Sequence, residues 1–335
     1  MRIRLGVIGC GLAVRNLHWP ALRQMPDKFQ IVAVCNHTPE KAREFAQLVG
    51  LNYFETDYRK LLEAREIDAI LAALPIDKNA AITRDCLAAG KHVLCEKPLA
   101  HTLDEARKLR DFAKQAPVVL LVGENYYYRD DFNEAVALIR AGHIGGIFLI
   151  TFEAVTEVDH TRSYGATAWR QVPAYRGGFV SDAGVHHAAA LRMMGGEIRA
   201  VHALTKNVHP VIHAEDNLAA TIEFVNGAIG HYLATYTAKA PKPGTRLRLF
   251  GTEGSIEVSH GELTVYRPKV SPAAETRRYA DFDNGFRNEW RAFHEAICYG
   301  KTFPGTVEQC YADQAVIMAM LDSAARREVL PIQNY

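Results

Sequence analysis

Residues 3–122 alternate between short apolar runs and amphipathic stretches, and few folds accept that pattern. The apolar runs are Ile3–Ile8 and residues 30–35, 68–74, 92–95 and 118–122, while helical patterns fill 56–63, 78–89 and 103–114. Strands joined through helices of about 10–15 residues lie parallel, since an antiparallel pair needs only a tight turn. Right-handed crossovers then build one open sheet with helices on both faces. The predicted fold of this part is α/β, a doubly wound parallel sheet.

Ile3–Ile8 runs directly into Gly9-Cys10-Gly11-Leu12-Ala13-Val14, and a helical pattern continues to Arg23. Strand, glycine turn and helix in that order form the pyrophosphate grip of a dinucleotide-binding (Rossmann) domain. Gly9 permits the tight turn, Gly11 lets the backbone approach the phosphates, and the helix start at Leu12 and Ala13 meets their charge. Val14 stands where a third Gly or Ala is usual. About 20 residues further on, an acid normally accepts from the adenosine ribose 2′-hydroxyl. Here the position reads Asn36-His37-Thr38, with Lys41 and Arg43 close behind. Without the carboxylate, selection against a 2′-phosphate is lost. The expected cofactor is therefore NAD(P), leaning to NADP. The same residues also read as a plain loop in which Thr38-Pro39-Glu40 opens a helix. Leu74-Pro75 closes its strand at the same edge and is placed beside the cofactor.

The run 92–95 ends in Glu96-Lys97-Pro98. Proline has no amide hydrogen and a fixed φ, so the strand stops there. A lysine leaving the carboxyl edge of a parallel sheet points at whatever the sheet binds. On these residues alone the stretch is equally a strand ending in a solvated turn.

After Gly123 the pattern changes. One amphipathic helix at 131–140 is followed by alternating runs at 147–156, 199–207, 217–225, 228–237, 246–251, 255–259 and 263–267. Asn226-Gly227 between two of them is a strong hairpin signal, and Gly251-Thr252-Glu253-Gly254 is another turn. A large, mainly antiparallel open sheet follows, with one buried and one polar face. Helices at 286–298 and 307–327 close the chain. The expected organisation is a nucleotide-binding domain at 1–122 and an α+β domain at 123–335. An open sheet of this breadth with an apolar face also suggests self-association as a homodimer or homotetramer, the alternative being a helix that covers that face.

One helix interrupts the strands, running from Gly177-Gly178 to Gly195-Gly196. It carries Asp182 and His186, four apart and so on one face. A carboxylate one turn before a histidine can orient the imidazole and leave it poised as acid or base near neutral pH. The pair equally reads as a local helix contact with no ligand. Gly184 between them costs about 1 kcal/mol against Ala, which makes sense where something packs closely on the backbone. His187 points about 100° away and reads as packing or surface. No third ligand at a recognisable spacing accompanies either histidine, so no metal is expected.

Gly9-x-Gly11, His18-x-Pro20-Ala21-Leu22, Glu96-Lys97-Pro98, Trp169-Arg170, and Gly177-Gly178 followed by Asp182-x-Gly184-x-His186 occur in that order. Together they resemble the glucose–fructose oxidoreductase, inositol dehydrogenase and rhizopine-catabolism family, Gfo/Idh/MocA, over essentially the whole chain. The resemblance implies an NAD(P)-dependent oxidoreductase that moves a hydride between nicotinamide C4 and a hydroxyl or carbonyl carbon of a sugar, cyclitol or related small polyol. By that resemblance Lys97 is the catalytic lysine, His186 the acid/base histidine and Asp182 its acidic companion. Tyr128 and Arg170 fall at the substrate, and Glu96 anchors the Lys97 loop beside the cofactor. Ala189 stands where many members carry a second acid, and the run Tyr126-Tyr127-Tyr128 is unusually aromatic. The alternative reading is a non-catalytic NAD(P)-binding sensor on the same scaffold.

The bulk numbers exclude other classes. A formal net charge of +1 over 335 residues lacks the basic excess of a nucleic-acid protein. No apolar stretch approaches the roughly 20 residues that span a membrane. The first strand begins at once, leaving no room for a signal peptide. Six scattered cysteines without a CxxC pair read as reduced thiols in a cytoplasmic protein.

Overall fold

The structure is a computed structural model that describes residues 1–334. The chain divides into two compact units, Met1–Glu124 with Phe286–Tyr311, and Asn125–Gly285 with the chain from Ala312 onward.

In the first unit, β1 (Ile3–Ile8) leads through the glycine turn into a π-helical segment, Val14–His18, and helix α1 (Trp19–Leu22). Then follow β2 (Phe29–Cys35), α2 (Pro39–Leu48), α3 (Tyr58–Glu63), β3 (Ala69–Ala72), α4 (Ile76–Ala88), β4 (His92–Glu96), α5 (Leu103–Ala113) and β5 (Leu120–Gly123). The five strands form one sheet in the order β2-β1-β3-β4-β5, every pair parallel. The near-continuous apolar runs follow from that placement, since both faces of a parallel sheet are covered. The helices start where their sequences say. Pro39 opens α2, Asp57 caps α3 by accepting from Arg59 N, and Thr102 caps α5 by accepting from Glu105 N. Strand order reverses at β1/β3, which puts the ligand crevice of such a sheet beyond their carboxyl ends.

A late segment completes this unit. The helix Phe286–Tyr299, read from the sequence as part of the second architecture, packs instead in the first. Trp290 is fully buried, its ring centroid 5.0 Å from that of Phe29, and His294 Nε2 meets the Met1 carbonyl oxygen at 2.9 Å. The spacing of Phe286, Trp290 and Phe293 defines an apolar face but not what that face meets.

The second unit opens with a 3₁₀ turn, Asn125–Tyr128, and α6 (Asp130–Arg140). Its strands are β6 (Ile147–Val155), β7 (Ile198–Lys206), β8 (Asn217–Phe224), β9 (Ile229–Thr235), β10 (Gly244–Gly251), β11 (Ser255–Ser259), β12 (Glu262–Tyr266), β13 (Glu275–Arg278) and β14 (Leu330–Pro331). Helices α7 (Ala168–Gln171) and α8 (Gly178–Gly195) lie between β6 and β7; Phe286–Tyr299 is α9 and Val307–Arg326 is α10. The nine strands run in the order β13-β12-β11-β10-β6-β9-β8-β7-β14, antiparallel throughout except for the parallel pair β6/β9. Alternate residues such as Phe152, Leu249, Tyr232 and Ile222 face a core shared with Val185, Leu191 and Met194 of α8 and Ile317 and Met320 of α10. The observed fold is thus the expected parallel sheet followed by a mainly antiparallel one. β13 and β14 escape the sequence because one is almost wholly charged or polar and the other is two residues long.

Candidate active site

The candidate residues of the first unit gather at the carboxyl ends of β1 to β4. Gly9 has φ +95°, and a Cβ there would overlap the Ala73 carbonyl oxygen just past β3. Only glycine fits. Leu74 lies alongside, and Pro75 sits immediately before α4. Gly11 is different, because a Cβ on it would meet nothing within 4 Å. The fold does not require glycine there, and the space is what a pyrophosphate passing close to the backbone needs. Leu12 and Ala13 open the following helix, in the turn whose N–H groups have no helical carbonyl to bind. The residues present therefore fit a dinucleotide.

Asn36 is buried and its amide braces the loop. Its Oδ1 accepts from Cys10 N at 3.0 Å and its Nδ2 donates to the Thr38 carbonyl at 3.1 Å. His37 is exposed, and its Nε2 lies 3.2 Å from Thr38 Oγ1. Burial pushes the Cys10 and Cys35 thiols up to about 12, so neither is a nucleophile near neutral pH.

The Lys97 turn at the end of β4 is held on several sides. The Lys97–Pro98 peptide bond is cis. Asn79 of α4, fully buried, donates through Nδ2 to the Glu96 carbonyl and, at 3.0 Å, to that of Pro98. The Glu96 carboxylate accepts from Lys97 N at 3.2 Å through one oxygen and lies 2.9 Å from His18 Nε2 through the other. Asn79 carries no signal in the sequence. It matters only because α4 packs beside β4.

In the second unit α8 carries the other candidates. Gly177 precedes it at φ +87°, where a Cβ would overlap Ser181 Oγ, and that hydroxyl donates to the Arg176 carbonyl at 2.7 Å. Asp182 Oδ2 accepts from Arg170 Nε at 2.7 Å, and both side chains are largely buried. The guanidinium lies over the Trp169 ring at 3.9 Å and near Tyr164 at 5.1 Å. Two expected site residues thus form a charge-assisted pair that spacing alone did not suggest. His186 is half-buried and stacks on Tyr126, with centroids 4.9 Å apart and planes at 23°. Tyr128, expected at the substrate, is buried in the same 3₁₀ turn as Tyr126, whose stacking on His186 the sequence reading did not foresee. Burial, with the charges of Tyr232 and Asp182 adding, pushes the Tyr236 hydroxyl well above its usual range. His187 is a core residue bonded to Tyr232 at 2.7 Å. The close neighbour that Gly184 admits is Ile317 of α10, whose Cδ1 would stand 3.0 Å from a Cβ.

Among the described residues, no group of three or more His, Cys, Asp or Glu is placed to hold a metal ion. No described helix is long and apolar enough to cross a membrane.

A family of oxidoreductases with an NAD-binding Rossmann fold matches residues 3–124, and the Gfo/Idh/MocA C-terminal domain matches residues 132–257. The chain is 30% identical to the uncharacterized protein YMR315W of Saccharomyces cerevisiae, over 97% of this chain and 96% of that one. It is 27% identical to a D-apiose dehydrogenase of Paraburkholderia graminis, over 77% of this chain and 68% of that enzyme. Among solved structures it resembles an oxidoreductase from Thermotoga maritima, with 31% identity, a TM-score of 0.92, and coverage of 100% of this chain and 99% of that one. The chain belongs to the Gfo/Idh/MocA family. It is an NAD(P)-dependent oxidoreductase with the fold of that family.

Proposed function

We propose that this oxidoreductase acts on the hydroxyl or carbonyl carbon of a sugar, cyclitol or related small polyol. Domain 1–122, completed by the late segment Phe286–Tyr311, is assigned to the nucleotide, and the remainder of domain 123–335 to the substrate. The reading is carried by the Lys97 turn, clamped by Asn79 and Glu96 on the same sheet edge as the open glycine turn. The D-apiose dehydrogenase among its relatives supports a sugar as the substrate class.

Gly9, Gly11, Leu12 and Ala13 would hold the pyrophosphate, and Leu74, Pro75, Glu96 and Lys97 would line the nucleotide. When bound, the nicotinamide supplies or accepts hydride at its C4 carbon. In oxidation His186 takes the proton of the substrate hydroxyl. Lys97 stabilises the charge that develops on the oxygen, and in reduction the same groups return the proton. Asp182, held by Arg170, orients the imidazole, while Tyr128 and Arg170 contribute to the substrate pocket. With no acid after β2, His37, Thr38, Lys41 and Arg43 favour the 2′-phosphate of NADP, and Asn36 shapes their loop. The six thiols suit a reducing, cytoplasmic setting.

The test titrates the protein with NADH and NADPH and screens sugars and cyclitols for change in reduced-nicotinamide absorbance. Lys97→Ala and His186→Ala should each lower turnover by about 10²–10⁴-fold while cofactor binding is kept. Wild-type rates in both variants would sink the assignment. Cofactor binding with no turnover across the panel would return the sensor reading.

A further inference from the structure

The His18-x-Pro20 motif has no part in the chemistry above, yet His18 sits at the head of a chain of contacts that ends at Lys97. We infer that His18 is a positioning residue, fixing the Lys97 backbone through the Glu96 carboxylate in a tautomer set by Trp290. The inference rests on the reading of Lys97 as the group that meets substrate, and it adds what sets that lysine's place.

His18 is fully buried at the end of the π-helical segment Val14–His18. The indole Nε1 of Trp290 lies 3.2 Å from His18 Nδ1. Indole is a donor only, so Nδ1 is the acceptor and carries no proton. The ring is then neutral, with its hydrogen on Nε2, 2.9 Å from Glu96 Oε1. The edges of Phe286 and Trp290 flank the imidazole at 5.5 and 5.7 Å, with planes at 87° and 86°, which holds the ring against turning over. Glu96 Oε2 receives the Lys97 amide at 3.2 Å. One carboxylate thereby ties a buried histidine to the backbone of the lysine. Asn79 restrains the carbonyls on either side of that amide, so Glu96 supplies the restraint Asn79 does not.

The test compares His18→Gln and His18→Leu with Lys97→Ala in the full chain. Glutamine places a donor where Nε2 stood, whereas leucine fills space and donates nothing. His18→Leu should lower kcat by about 10²-fold with both KM values nearly unchanged, as expected for a catalytic group misplaced by about 1 Å. His18→Gln should recover most of the loss. Equal losses in the two variants, or a full rate in His18→Leu while Lys97→Ala is inactive, overturn the role of His18. A full rate in Lys97→Ala overturns the underlying reading of the lysine instead. A second measurement needs neither turnover nor a folded His18 variant. NMR of isotope-labelled histidine should show the Nε2–H tautomer in the wild type and a mixture of tautomers in Trp290→Phe. An Nδ1–H ring in the wild type overturns the inference.

Discussion

Gly9 and Gly11 stand two positions apart and are glycine for different reasons. At Gly9 the backbone is left-handed and the Ala73 carbonyl fills the space of a side chain, so Gly9→Ala should cost about 3 kcal/mol or more of stability. At Gly11 nothing in the fold opposes a methyl group. Gly11→Ala should melt within about 0.5 kcal/mol of wild type. Its affinity for NADH and NADPH should nevertheless fall about tenfold. Thermal melts beside fluorescence titrations check both, and undiminished binding in Gly11→Ala would remove the turn as the pyrophosphate cradle. The glycine turn and the place of Lys97 at the end of β4 were legible because each signal lies within a few residues. What stayed hidden pairs residues far apart in sequence, as Trp290 with His18, Asn79 with the Lys97 turn, and Tyr126 with His186. Asn36 teaches a further limit. An amide carries donors and an acceptor, and its residue type does not say that Cys10 and Thr38 occupy both ends.

At the scale of elements, periodicity located every parallel strand and most antiparallel ones, because burial on both faces or on one face leaves different patterns. It could not assign partners. Nothing in the run Phe286–Tyr299 announces that its apolar face meets Phe29. The nine-stranded sheet has its helices on one face, and on the other Leu149, Ala219 and Leu233 remain partly accessible beside the exposed Leu204 and Ile229. Arg248 and Glu153 pair on that same face at 2.6 Å. An apolar strip laced with self-complementary charges suits a second copy of the sheet. Light scattering should therefore return a dimer or tetramer mass, and Leu233→Arg with Ile229→Arg should shift it towards monomer. A monomeric wild type at micromolar concentration would refute this use of the sheet.

For the molecule as a whole, the buried thiols set an alkaline limit. Burial pushes Cys10, Cys35, Cys86 and Cys95 up to about 12 in the folded chain. An unfolded thiol ionises near 8.5, so above about that pH the unfolded state releases protons the folded state keeps. The stabilisation is complete below about 8.5 and is lost progressively as pH rises towards about 12, at about 1.4 kcal/mol per pH unit per thiol. Urea unfolding should show a midpoint that falls between about pH 8 and pH 10, and Cys86→Ala should flatten the decline. A midpoint that does not move would contradict the burial of these groups. Synthesis of the chain meets a different constraint. All five strands of the first sheet are synthesised by residue 123, but the helix that covers Phe29 and receives Met1 arrives with residues 286–299. The nascent chain must therefore carry an uncapped nucleotide-binding unit through translation of β6 to β13, eight of the nine strands of the second sheet. A part made late thus completes the first unit, so a message truncated before α9 yields that unit without the helix that covers Phe29.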